Sequence, residues 1–134
     1  MHSVIAINLL AAKLFKKHGN DYAAAIAFGC NYKYYIEKKD FINAKKAFEA
    51  YNSTGYEGNS NYEDAKAYVL CLKGTYYMFT GQLDSACYIL QQSLKFCKSF
   101  SNKAATTKAL AHYYAKVNQP SLAMKYALQS SEYN

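Results

Sequence analysis

The side chains able to do chemistry are scattered along this chain. His2, His18 and His112 fall on three different helical patterns, and none shares its helix with a carboxylate at i+3 or i+4. Such pairing is what a metal site or an acid–base couple would draw on. HExxH, GxSxG, Walker and dinucleotide-binding patterns are absent. Carboxylates are adjacent once, at Glu63-Asp64. That pair opens a helix, where negative charge complements the macrodipole. Cys30, Cys71, Cys87 and Cys97 form no CxxC pair and have no histidine at zinc spacing. They read as small reduced core residues. A Cys87–Cys97 bridge is ruled out because ten residues of helix rise about 15 Å. The expectation is a non-catalytic chain with no catalytic, metal or cofactor-binding residues and no cofactor.

One polar constellation does have helical spacing. Lys108, His112 and Lys116 stand at i, i+4 and i+8 and make one exposed stripe. The stripe reads either as a solvated charged face or as a weak site for an acidic or C-terminal peptide. The formal charge is +7, and the basic residues are all lysine, with no Arg and no Trp. Arginine is the usual residue for bidentate phosphate and base-edge contacts. Specific nucleic-acid binding is therefore not expected, and the joint abundance of Lys, Asn and Tyr is also what codon bias produces. Binding of nucleic acid through the lysine surface stays a third option, marked by steep salt dependence.

The elements that position these residues are helices. The length of 134 residues gives room for one domain, and 51% apolar residues argue against disorder. One Pro and six Gly leave little material for β turns. Ser3 to His18 reads as the first helix, with Ile7, Leu10 and Leu14 on one face and Gly19 as its stop. Its apolar surface is broad: it packs on two sides, or it lacks a neighbour. Asn20 or Asp21 caps a helix that runs to Lys38, and Asp40 caps a third carrying Phe41, Ala44, Phe48 and Tyr51. Residues 52–59 form a long loop. Ser60 and Glu63 make a capping box for the fourth helix. The fifth follows Gly81, Ser101 caps the sixth, and Pro120 opens the seventh. The apolar run from Met1 to Ala12 lacks a basic leader region and is too short to cross a bilayer. The compartment, cytoplasmic or periplasmic, stays open. The helical pattern continues to Asn134, which reads as a segment of a longer protein.

A skeleton recurs along the chain: a small residue, Tyr three on, a turn residue four on, Ala five on, an apolar residue four on. The copies are Gly74, Tyr77, Gly81, Ala86, Leu90, then Ala111, Tyr114, Asn118, Ala123, Ala127, with a weaker Tyr32, Tyr35, Lys39, Ala44, Phe48. Tyr35 to Tyr77 and Ala44 to Ala86 are both 42 residues; Tyr77 to Tyr114 and Ala86 to Ala123 are both 37. Of the adjacent tyrosines, Tyr35, Tyr77 and Tyr114 should face the packed side. Tyr76 and Tyr113, about 100° around the helix, should point elsewhere.

This skeleton resembles the tetratricopeptide repeat (TPR), a helix-turn-helix unit of about 34 residues. The resemblance covers Ala25 to Asn134. Phe28, Leu70 and Thr107 stand where that family has Trp, its late Pro is absent, and Tyr32 fills a small-residue position. Lys73-Gly74, Tyr76-Tyr77, Asp84-Ser85-Ala86 and Lys125-Tyr126-Ala127 are similar to TPR proteins of Bacteroidetes bacteria, often membrane-linked or exported regulators. The resemblance implies an all-α superhelix in a single domain: an orphan helix (1–19) and repeats at 20–55, 60–100 and 101–134. It also implies a concave peptide-binding groove contributed by the first helix of each hairpin. Its residues would be Ile26, Lys33 and Glu37, then Tyr68, Thr75 and Phe79, then Lys108, His112 and Lys116. The chaperone-tail use of TPRs is not implied, because Gly29, Lys33 and Leu72 stand at its Lys/Asn positions. The expected role is a protein- or peptide-binding scaffold or sensor in a larger regulatory protein. The alternative is self-association through Val4, Ile7, Leu10 and Leu14.

Overall fold

The computed structural model describes residues 3–56 and 63–133. Seven α-helices account for most of them: α1 (Val4–Lys17), α2 (Asp21–Glu37), α3 (Phe41–Ser53), α4 (Glu63–Phe79), α5 (Leu83–Phe96), α6 (Phe100–Lys116) and α7 (Pro120–Tyr133). Among the described residues there is no strand. His2 and the Ser60 end of the expected capping box lie outside them. The chain falls into two compact units, Met1–Tyr56 and Glu57–Asn134.

Helix starts follow capping chemistry. The side chains of Ser3, Asn20, Asp40 and Ser99 accept from the backbone N–H groups of Ala6, Ala23, Asn43 and Asn102. The cap of α6 is Ser99, not Ser101 as expected. The Asp64 carboxylate accepts from the N–H groups of Lys98 (2.8 Å) and Ser99 (2.9 Å). That holds the chain extended up to Ser99, so Ser101 falls inside the first turn.

Four helix ends share one device. Gly19, Lys39, Gly81 and Asn118 all have positive φ, at 74°, 58°, 87° and 60°. At each, the N–H of the next residue reaches back five positions: Asn20 to Phe15, Asp40 to Tyr35, Gln82 to Tyr77, Gln119 to Tyr114, all at 2.8–2.9 Å. These are Schellman turns. They close α1 onto α2, α2 onto α3, α4 onto α5 and α6 onto α7.

In the first unit α2 packs against both α1 and α3. Ala12, Ala24, Ala25 and Ala44 are fully buried, with Tyr32 and Phe48 in ring contact at 5.4 Å. Asn31, 2% exposed, accepts from Asn8 Nδ2 and donates to the Ile5 carbonyl, so α1 is keyed to α2 by polar bonds. On the other side of α1, Val4, Ile7, Leu10 and Leu14 are exposed.

In the second unit α4 packs on α5, α6 on α7, and α6 lies across both α4 and α5. Ala86, Leu90, Leu110, Tyr113 and Tyr126 centre the core, with Cys71 among them. Two expectations about the core are corrected. Tyr113 is buried in the core cluster, not turned elsewhere; Tyr114 does pack on that core, half-buried, stacked flat on Tyr126 at 5.5 Å and met edge-on by Tyr113 at 5.1 Å. Cys30 is exposed, whereas Cys71 and Cys97 are buried and Cys87 is half-buried.

Candidate functional site

The sequence candidates divide between the two units. Lys33 and Glu37 belong to α2 in the first, where Lys33, like Ile26, is half-buried and Glu37 is exposed. Tyr68, Thr75 and Phe79 are half-buried on α4 in the second. The Thr75 hydroxyl donates to the Leu72 carbonyl of its own helix, and Phe79 meets Tyr76 edge-on at 5.3 Å. Lys108, His112 and Lys116 are all exposed along α6. His112 lines a concave surface.

That surface is an open groove of about 680 Å³ between α6 and α7. Ala111, His112 and Ala115 form one wall; Ala123, Met124 and Ala127 form the other; Asn118 and Pro120 close the turn end. Ala111, Ala115, Ala123 and Ala127 at helical spacing make most of the walls, with His112 and Met124 as the larger side chains. Met124 and Leu128 are exposed on the groove's α7 side. The trough was missed in the sequence because alanines in a repeat skeleton read as packing residues. The signal available was Ala127, which stands where the copy before it has Leu90.

Polar chemistry elsewhere in the second unit is structural. Gln91 Nε2 donates to Tyr114 Oη and Tyr126 Oη at 3.2 and 3.4 Å. Burial pushes the Tyr113 and Tyr114 hydroxyls above the usual phenol range, and the nearby Cys87 adds to this. Burial likewise raises the Cys97 thiol, against hydrogen bonds to Thr106 and Ser93. Lys98 pairs with Glu63 at 3.2 Å across the α4 start. Among the described residues, no three His, Cys, Asp or Glu side chains converge to hold a metal ion. No helix among them is long and apolar enough to cross a membrane. No family model, curated protein or solved structure matches this chain.

Proposed function

We propose that the chain is a TPR-like, non-catalytic module that binds a protein or peptide, and that the α6/α7 groove is its contact surface. The observation that carries the reading is an apolar trough left open beside a lysine-bearing helix edge. Apolar grooves between helices with a few polar groups beside them are where binding sites tend to lie. The repeated turn chemistry and the 37-residue offset support the repeat assignment. Selection of displayed random peptides on the folded chain tests this, with Ala115→Arg as the blocking variant. Ala115 is exposed, so the variant should fold. Selected peptides should lose binding to it. No selected peptide, or peptides indifferent to the block, would overturn the reading.

A second reading has its own observation. Val4, Ile7, Leu10 and Leu14 are 68%, 54%, 63% and 50% exposed on one side of α1. That stripe suits self-association. Light scattering over a concentration series, with Leu10→Asp alongside, decides it: a dimer that the variant splits supports the second reading, and a monomer in both removes it.

A further inference from the structure

We infer that the α6/α7 groove receives an amphipathic helix of a partner protein, apolar at i, i+3, i+4 and i+7 and acidic along the flank that meets α6. This rests on the binding-module reading and names the occupant.

The shape of the occupant follows from the second unit itself, which contains the same groove twice. Gly74, Met78, Ala86, Cys87 and Leu90 stand 37 residues before Ala111, Ala115, Ala123, Met124 and Ala127. In the earlier copy the groove is filled by a helix. Ala86 and Leu90 share a core cluster with Leu110 and Tyr113, and Met78 and Cys87 pack against it with Tyr114 and Val117. The Cys87 sulfur lies 3.9 Å from the Tyr114 hydroxyl oxygen. Leu110, Tyr113, Tyr114 and Val117 are i, i+3, i+4 and i+7 of α6, the side of a helix that fits between two others. The later copy has the same walls and lies open. Two of its wall side chains are smaller, Ala115 for Met78 and Ala127 for Leu90, and two are larger, Ala111 for Gly74 and Met124 for Cys87, so the added room lies beside Ala115 and Ala127.

The charge of the occupant follows from what changes between the copies. Cys71 packs at the filled groove; Lys108, His112 and Lys116 stand 37 residues after Cys71, Thr75 and Phe79. Cys71 is buried in the cluster that includes Leu110, so the position that Lys108 takes is one that faces an incoming helix. Lys108 and Lys116 are exposed and have no acidic partner among the described residues. An occupant with glutamates or aspartates on that flank complements them. A second copy of this chain does not: its exposed α1 stripe is bordered by Lys13, Lys16 and Lys17, which would set cation against cation.

The probe is a fluorescein-labelled, helix-stapled synthetic peptide of about four turns, carrying Leu and Tyr at that spacing. One version has a Glu flank, a second a Lys flank, and a third a scrambled apolar face; fluorescence anisotropy reports binding. The Glu peptide should bind about tenfold tighter than the Lys peptide, as two exposed ion pairs allow. Raised salt should narrow that gap. Lys108→Glu/Lys116→Glu should reverse the order, and Ala115→Arg should abolish binding of both. Equal binding of the two flanks, or an order that the charge swap leaves unchanged, overturns the inference. So does a dimer that Ala115→Arg splits. Displayed peptides that need the groove yet are neither helical nor acidic overturn the inference and leave the binding-module reading standing; absence of any groove-dependent peptide overturns both.

Discussion

Gly74 lies so close to Leu90 that a Cβ built on it would stand 2.5 Å from Leu90 Cδ2 and 2.6 Å from Cγ. Leu90 is fully buried and cannot swing away. In the next hairpin the pair is Ala111 and Ala127: a methyl appears on one helix where an isobutyl has shrunk to a methyl on the other. The two α-helix pairs keep the same approach by exchanging bulk across the contact. Gly74→Ala should therefore destabilise by about 1 kcal/mol, with overpacking of about 1–3 kcal/mol outweighing roughly 1 kcal/mol of helix propensity. In a Leu90→Ala background the same change should stabilise, because only the propensity remains. Urea unfolding of the four variants gives the coupling, expected at about 2 kcal/mol. Additive effects would mean the contact is not what holds Gly74.

A hydrogen bond also repeats. The Ser93 hydroxyl donates to the Ala67 carbonyl at 2.7 Å, and the Ser130 hydroxyl to the Ala104 carbonyl at 2.9 Å, each residue 37 before its counterpart. Ser93 additionally shares a hydrogen bond with Thr106 at 2.9 Å, tying α5 to α6. Ser130→Ala should cost about 1 kcal/mol and Ser93→Ala about 2 kcal/mol, since the latter also removes a partner from the buried Thr106 hydroxyl. The check is the ratio of the two losses by chemical denaturation. Equal losses would show that Thr106 re-pairs.

How much was legible follows from which interactions are local. The seven helices and most caps could be read because periodicity and capping act within a few residues. The turn slots of the skeleton, Lys39, Gly81 and Asn118, coincide with the left-handed residues for the same reason. Ser99 was passed over for Ser101 because the deciding group, Asp64, comes from 35 residues earlier. The burial of Tyr113 is not legible in the spacing along α6 because it is made between helices, in a cluster with Ala86, Leu90 and Tyr126. Ala12, Phe15, Gly19, Ala24 and Phe28 also keep the skeleton's spacing and form the same turn. Phe15 stands in the Tyr slot. The groove shows in the sequence only as lost bulk, Ala115 for Met78 and Ala127 for Leu90.

Asp64 supplies a pH dependence. Desolvation pushes its carboxyl up, but the Ser99 and Lys98 amides, with the Asn102 and Ser99 side chains, together outweigh that and hold it below the usual carboxylate range. A carboxyl whose folded pKa is depressed stabilises the fold above its unfolded value, and that stability is lost as pH falls through the folded one. Asp64→Ala should cost about 1 kcal/mol near neutrality, as loss of a cap does. The gap to wild type should close as pH drops below about 4. Urea midpoints of both proteins across that window test it; a gap that persists in acid would mean the loss is packing, not charge.

The left-handed residues of the four Schellman turns give the last prediction, because they hold one geometry with different side chains. Gly81 has open space where a Cβ would go, so substitution there meets no neighbour and reports backbone strain alone. Gly81→Ala should destabilise by about 1–2 kcal/mol, the cost of placing a Cβ in the left-handed region. Lys39 already bears that cost at φ 58°. Lys39→Gly should therefore stabilise, though by less than about 1 kcal/mol, since glycine also adds freedom to the unfolded chain. Asn118→Gly should change little, because asparagine tolerates this region better than lysine. The order of the effects, Lys39→Gly above Asn118→Gly above Gly81→Ala, is read from thermal and urea midpoints. A destabilised Lys39→Gly would show that the lysine side chain, not the backbone, decides that turn.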